Sequence, residues 1–132
     1  MKPRHNSGFV DIEMVSQKSA TVLDRKAVPA GSKIFTEGDT GNVAFIVESG
    51  EIEIWKGSEA EKHRLGVISK GGIFGEMALI DGEPRMASAT ALTDCILIAV
   101  SEGIFQQKID RSDPFVVALL RMFAKNIRAL TK

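Results

Sequence analysis

From Arg25 to Ala99 the chain is broken into short runs rich in Val, Ile and Phe, parted by Gly31, Gly38-Asp39, Gly41-Asn42, Gly50, Gly57-Ser58, Gly71-Gly72 and Asp81-Gly82. Short apolar runs between turn residues predict strands, and this many of them predict an antiparallel β-barrel or jelly roll. Glu51-Ile52-Glu53-Ile54-Trp55-Lys56 alternates strictly, which puts Ile52 and Ile54 on one side of a half-buried strand and the acids on the other. The polar stretch from Gly57 to Lys62 then predicts a solvated hairpin turn, and the unbroken apolar run Cys95 to Val100 a further strand. After Ser101-Glu102, which suits a helix start, Ile104, Phe105, Lys108 and Ile109 predict a short helix ending near Asp110 to Asp113. Pro114 suits the first turn of a second helix, Phe115 to about Leu130. In it Val116, Leu119, Leu120, Phe123, Ile127 and Leu130 recur at helical spacing, while Arg121, Lys125, Arg128 and Lys132 form a separate row expected to face solvent. The expected fold is mainly β with flanking helices. Residues 1–8 read as a flexible N-terminus, 9–24 as loosely helix-compatible, and 9–132 as a single domain.

The composition narrows the function classes. The 132 residues, 44% hydrophobic, suffice for one cored domain and are too few for a comfortable second. Seventeen basic and seventeen acidic side chains cancel, so no global field draws the chain to nucleic acid or membrane. The cationic row on the last helix lacks aromatic interleaving and a following helix, so no direct DNA binding is expected. No apolar stretch reaches the roughly 20 residues of a membrane span, and acids at Asp11 and Glu13 interrupt any leader-like core, so a cytoplasmic location is expected. Cys95 is the single cysteine and reads as a buried, inert thiol. His5 and His63 stand apart from each other and from Cys95, which predicts no metal site.

Candidate chemistry concentrates in Gly71 to Ala91, GGIFGEMALIDGEPRMASATA. Gly71, Gly72 and Gly75 permit close backbone approach, and Glu76 to Ile80 can form one helical turn with its first amides free for an anion. Arg85 can offer paired donors to phosphate oxygens. Glu76 would repel a phosphate, so it suits a ligand hydroxyl instead; one acid and one base together suggest a sugar phosphate. The plain structural alternative is a strand-to-helix turn with a solvated arginine.

Phe74-Gly75-Glu76-Met77-Ala78-Leu79 followed by Pro84-Arg85-Met86-Ala87-Ser88 resembles the phosphate-binding cassette of cyclic nucleotide-binding domains. A second family-like stretch, Gly31 to Asp39 followed by Ala44 to Ile52, extends the resemblance over about residues 20–132. The resemblance implies that Glu76 takes the ribose hydroxyl and Arg85 the cyclic phosphate. It further implies supporting contacts from the amides of Gly75, Ala78 and Ala87 and from the Ser88 side chain, with Phe74, Met77 and Met86 beside the ligand. Its cGMP-selective members carry Thr or Ser where this chain has Met86, so cAMP is the expected ligand, with cGMP the second. The last helix covers the base in such domains or pairs with its counterpart in a homodimer. Phe123, Ile127, Leu130 and Thr131 are therefore the candidate lid residues, with Leu130 or Thr131 nearest the base.

The chain shows no histidine-acid cluster and no nucleophile set beside a base, so a non-enzymatic sensor with no cofactor is expected. Two readings stay open for its output, a stand-alone sensor acting on a protein effector in trans or a piece of a longer protein. A cupin-like enzyme would need more histidines than the two present. A degenerate module serving as a protein interaction surface without ligand is the alternative; the retained acid and arginine count against it.

Overall fold

A computed structural model describes residues 24–131, so the expectations for residues 1–8 and for the stretch after Phe9 lie outside the described residues. Eight strands run in the order β1 Asp24–Val28, β2 Lys33–Phe35, β3 Val43–Ser49, β4 Ile52–Gly57, β5 Lys62–Ile68, β6 Ile73–Phe74, β7 Ser88–Ala91 and β8 Cys95–Ser101. Helix α1, Met77–Asp81, sits between β6 and β7, and α2, Glu102–Asp110, and α3, Pro114–Leu130, follow β8. The strands form two four-stranded sheets, β1-β8-β3-β6 and β2-β7-β4-β5, and every pair is antiparallel. The expected jelly roll is therefore present, but as two separate sheets; they do not close into a barrel.

The unbroken apolar run of β8 is explained by burial on both faces. Cys95 and Leu97 join Val47, Ile52, Phe74, Ala89 and Ala91 in one cluster, while Ile98 and Val100 join Ala44, Ile46 and Leu79 in a second, against which Ile104 and Phe105 of α2 pack. The Ser101 hydroxyl caps α2 by accepting from the Ile104 N–H at 3.3 Å. Asp113 caps α3 by accepting from the Phe115 N–H at 2.8 Å, with Pro114 in the first turn.

Strand β4 is more deeply buried than its alternation predicts. Glu53 and Trp55, on the face expected to be solvated, are 6% and 2% exposed. Lys62 and Arg64 of β5 reach the Glu53 carboxylate at 3.0 and 2.8 Å, which makes its burial tolerable. The ammonium groups of Lys33 and Lys62 lie 5.4 and 4.6 Å from the Trp55 ring centroid, and the Trp55 Nε1–H donates to Thr90 Oγ1.

Candidate functional site

A cavity of about 160 Å³ is lined by Phe35, Ile54, Ile68, Ile73, Phe74, the run Gly75 to Ala78, and Arg85, Met86 and Ala87. Its floor is apolar, and its charged side chains are Glu76 and Arg85, the acid and base singled out in the sequence. Phe35 and Phe74 of the lining pack against each other and against Phe45, with ring centroids 5.3 to 6.4 Å apart. Gly75 turns the chain from β6 into α1 at a φ of 79°, a left-handed conformation that disfavours any residue bearing a Cβ.

Arg85 is 7% exposed. Its peptide is fixed before its side chain is: its N–H donates to Asp39 O at 2.8 Å, and its own carbonyl accepts from the Gly38 N–H at 2.8 Å. The guanidinium lies 4.1 Å from the Phe35 ring centroid and against the Cα of Gly41, where a Cβ would collide with Nε and Cζ. Nη1 donates to Gly75 O and Nη2 to Val43 O, each at 2.7 Å. The paired donors expected to face a phosphate are thus held by backbone carbonyls, while Nε is buried without an acceptor. No carboxylate among the described residues makes an ion pair with Arg85; Asp39 and Glu76 act on it only through the field. Burial lowers the pKa of the guanidinium, yet an arginine keeps its proton, so one residue of the cavity lining carries a buried positive charge and an unmatched Nε–H.

Glu76 occupies the position just before α1. Burial pushes its pKa up, against the opposing pull of its own backbone N–H and of Arg85. Met86 and Ala87 line the cavity, and the Met86 carbonyl is held by Lys56 Nζ at 2.7 Å. Lys56 also pairs with Glu37 at 3.0 Å, which ties the loop after β2 to the residues that follow Arg85. Ser88 is 1% exposed and does not line the cavity; its hydroxyl accepts from the Glu37 N–H at 2.9 Å. The four candidate lid residues do not line it either. Phe123, Ile127 and Leu130 are 54%, 43% and 84% exposed, and the Thr131 hydroxyl donates to Ile127 O. Helix α3 is seated instead by buried Ala124 and by Arg128, which leaves the row expected to face solvent and pairs with Asp81 of α1. No motif in the sequence assigns Phe35, Ile68, Ile73 or Gly41 to the site, and alternation says of Ile54 only that it shares one side of its strand with Ile52.

An apolar slot ending in a buried guanidinium and one carboxylate can hold a flat apolar group, an anion and a hydroxyl together. The model of the cyclic nucleotide-binding domain matches residues 25–112. This chain belongs to the cyclic nucleotide-binding domain family. Among relatives of this domain, a cAMP-dependent protein kinase regulatory subunit of Colletotrichum orbiculare is 37% identical over 92 residues, covering 68% of this chain and 22% of that protein. The Cyclic AMP receptor protein of Thermus thermophilus is 31% identical over 107 residues, covering 80% of this chain and 50% of that protein. The cAMP-bound form of the EAL enzyme Bd1971 superposes with a TM-score of 0.76 at 34% identity, over 81% of this chain and 29% of that one. Its cGMP-bound form superposes at 0.77 and 35% identity, over 82% and 29%. The chain spans between about a fifth and a half of the length of these curated relatives. No helix among the described residues is long and apolar enough to cross a membrane.

Proposed function

We propose that this domain binds a 3′,5′-cyclic nucleotide, cAMP in preference to cGMP, without transforming it, and that it reports occupancy to a protein partner through α2 and α3. The observation that carries this reading is Arg85: a buried guanidinium with a free Nε–H and no ion pair, on the wall of an apolar cavity. A cyclic phosphate supplies the missing negative charge, and the ionised Glu76 accepts from the ribose 2′-hydroxyl. The purine then lies along Ile54, Ile68, Ile73 and Met77. Met86 presents no donor to a guanine edge, which supports the preference for cAMP, though one neutral hydrogen bond shifts selectivity by only about 0.5–1.5 kcal/mol. The exposed apolar stripe of α3 supports pairing with a second copy of the chain. The contacts assigned to the amides of Gly75, Ala78 and Ala87, to Ser88 and to the lid residues require adjustment of the cassette and of α3 around the ligand.

Calorimetric titration with cAMP and with cGMP tests the reading. Truncating one partner of a desolvated charge contact costs about 2–5 kcal/mol, so Arg85→Ala weakens cAMP binding by at least about tenfold. Arg85→Lys recovers only part, because an ammonium lacks the planar fork. Full affinity in folded Arg85→Ala removes the assignment. The competing interaction module draws support from the carbonyls of Gly75 and Val43, which occupy both Nη groups, but it leaves the charge and Nε unexplained. It predicts no heat with either nucleotide.

A further inference from the structure

The two parts of the site, Glu76 at the start of α1 and Arg85 ahead of β7, are joined by the short segment 81–84. A single side chain from α3 closes this joint. Arg128 Nε and Nη2 both donate to the Asp81 carboxylate, Nη2 at 3.0 Å, and Nη1 donates to the carbonyl of Pro84 at 2.9 Å. Both charged side chains are 18% exposed, and the Asp81 carboxylate also accepts from the Glu83 N–H at 3.0 Å. The Pro84 carbonyl and the Arg85 N–H belong to the same peptide unit. Its oxygen is held by Arg128 from α3 and its nitrogen by Asp39 from the loop after β2, so the plane preceding the Arg85 side chain is pinned at both polar atoms. Among the described residues, these are the side-chain hydrogen bonds that run from α3 to the cassette.

We propose that Arg128 is a positioning residue for the nucleotide site: it clasps both ends of segment 81–84, fixes Arg85 relative to Glu76, and makes the seating of α3 and occupancy of the cavity mutually dependent. This inference rests on the reading that the cavity takes a cyclic nucleotide, and it assigns α3 a role that needs no contact with the base. A planar fork is required because three nitrogens serve three acceptor oxygens on two residues. By linkage, whatever the clasp contributes to binding, the ligand returns to the seating of α3.

The test uses the full chain with Arg128→Gln, Arg128→Lys, Asp81→Asn and the double variant Asp81→Asn with Arg128→Gln, each first shown to be folded by its thermal melt. Amide hydrogen exchange of the ligand-free protein reads the clasp itself, and cAMP affinity and release rate read its effect on the site. Faster exchange at Gly82, Glu83 and Arg85 in Arg128→Gln is expected, with cAMP binding weakened at least about fivefold and mostly through faster release. Arg128→Lys falls between, and the double variant loses no more than the larger single loss, because both residues act through one contact. Asp81→Asn keeps the test open should Arg128→Gln fail to fold. Unchanged exchange, unchanged or tighter cAMP binding in a folded variant, or additive losses overturn the proposal. Absence of cyclic nucleotide binding by the unaltered chain would instead overturn the functional reading, and the exchange measurement would still decide whether Arg128 holds the joint.

Discussion

Gly41 has no side chain to contribute, yet it sets where the Arg85 guanidinium can lie, because a Cβ at that place meets Nε, Cζ and Nη2. Gly41→Ala therefore displaces the guanidinium from Phe35 and from its two carbonyls. We expect cAMP affinity to fall by about tenfold or more, measured by calorimetry, with the change suppressed in an Arg85→Lys background that has no fork to displace. Glu76 gives the site a pH dependence. Burial raises its pKa, and the ionised form is the one that accepts from a ribose hydroxyl, so affinity is full above the raised value and falls as pH drops through it. The decline begins at higher pH than an ordinary carboxylate, near about 4.3, would give. Glu76→Gln binds more weakly at pH 7 and loses this dependence; comparing the two profiles separates Glu76 from any titration of the base. The sequence made Glu76 and Arg85 legible through their types and spacing. It could not show that Arg85 rests on Gly75 and Val43, because backbone carbonyls carry no mark in the one-letter code.

The hairpin of β4 and β5 shows how an element can hide a buried charge behind a regular pattern. Alternation placed Glu53 opposite Ile52 and Ile54 correctly, but only pairing with β5 brings Lys62 and Arg64 over it and removes it from water. The hydrogen bond from Lys62, then that from Arg64, holds the Glu53 carboxyl below the usual range. This contribution to stability is complete above the unfolded-state value and is lost as pH falls through the lowered one. We expect Glu53→Gln to cost about 1–2 kcal/mol at pH 7 and to flatten the acid limb of the stability profile below about pH 4, read by denaturant unfolding across pH. Helix α3 was legible in its limits, since Asp113 and Pro114 announce its start, but not in its orientation. Its most apolar stripe faces outward, and its seat is made by Ala124 together with Arg128, whose partner Asp81 lies 47 residues earlier. Helical periodicity marks which residues share a face; it does not say which face finds a neighbour.

At the scale of the described molecule, that outward stripe is a length of packing left unfinished. Val116, Leu120, Phe123, Ile127 and Leu130 are 46%, 36%, 54%, 43% and 84% exposed, and their alternating four- and three-residue spacing is that of a coiled-coil seam. We expect the chain to sediment as a dimer at micromolar concentration and Phe123→Glu with Ile127→Glu to make it a monomer, as read by analytical ultracentrifugation. A monomeric unaltered chain would leave the stripe to another partner. The antiparallel sheets themselves were readable from turn residues, whereas their failure to close was not, because closure depends on which edges meet. The pinning of Arg85 by Gly38 and Asp39 reaches further than the geometry of one side chain. Gly71 to Ala91 looks like a portable motif, but the contacts that give its arginine a fixed position come from a stretch folded more than forty residues earlier and from a helix that ends the described chain. Excised as a peptide it would keep its letters and lose its receptor. Recognition here is a property of the completed fold, so a ligand would bind only finished molecules and, by mass action, draw unfinished ones after them.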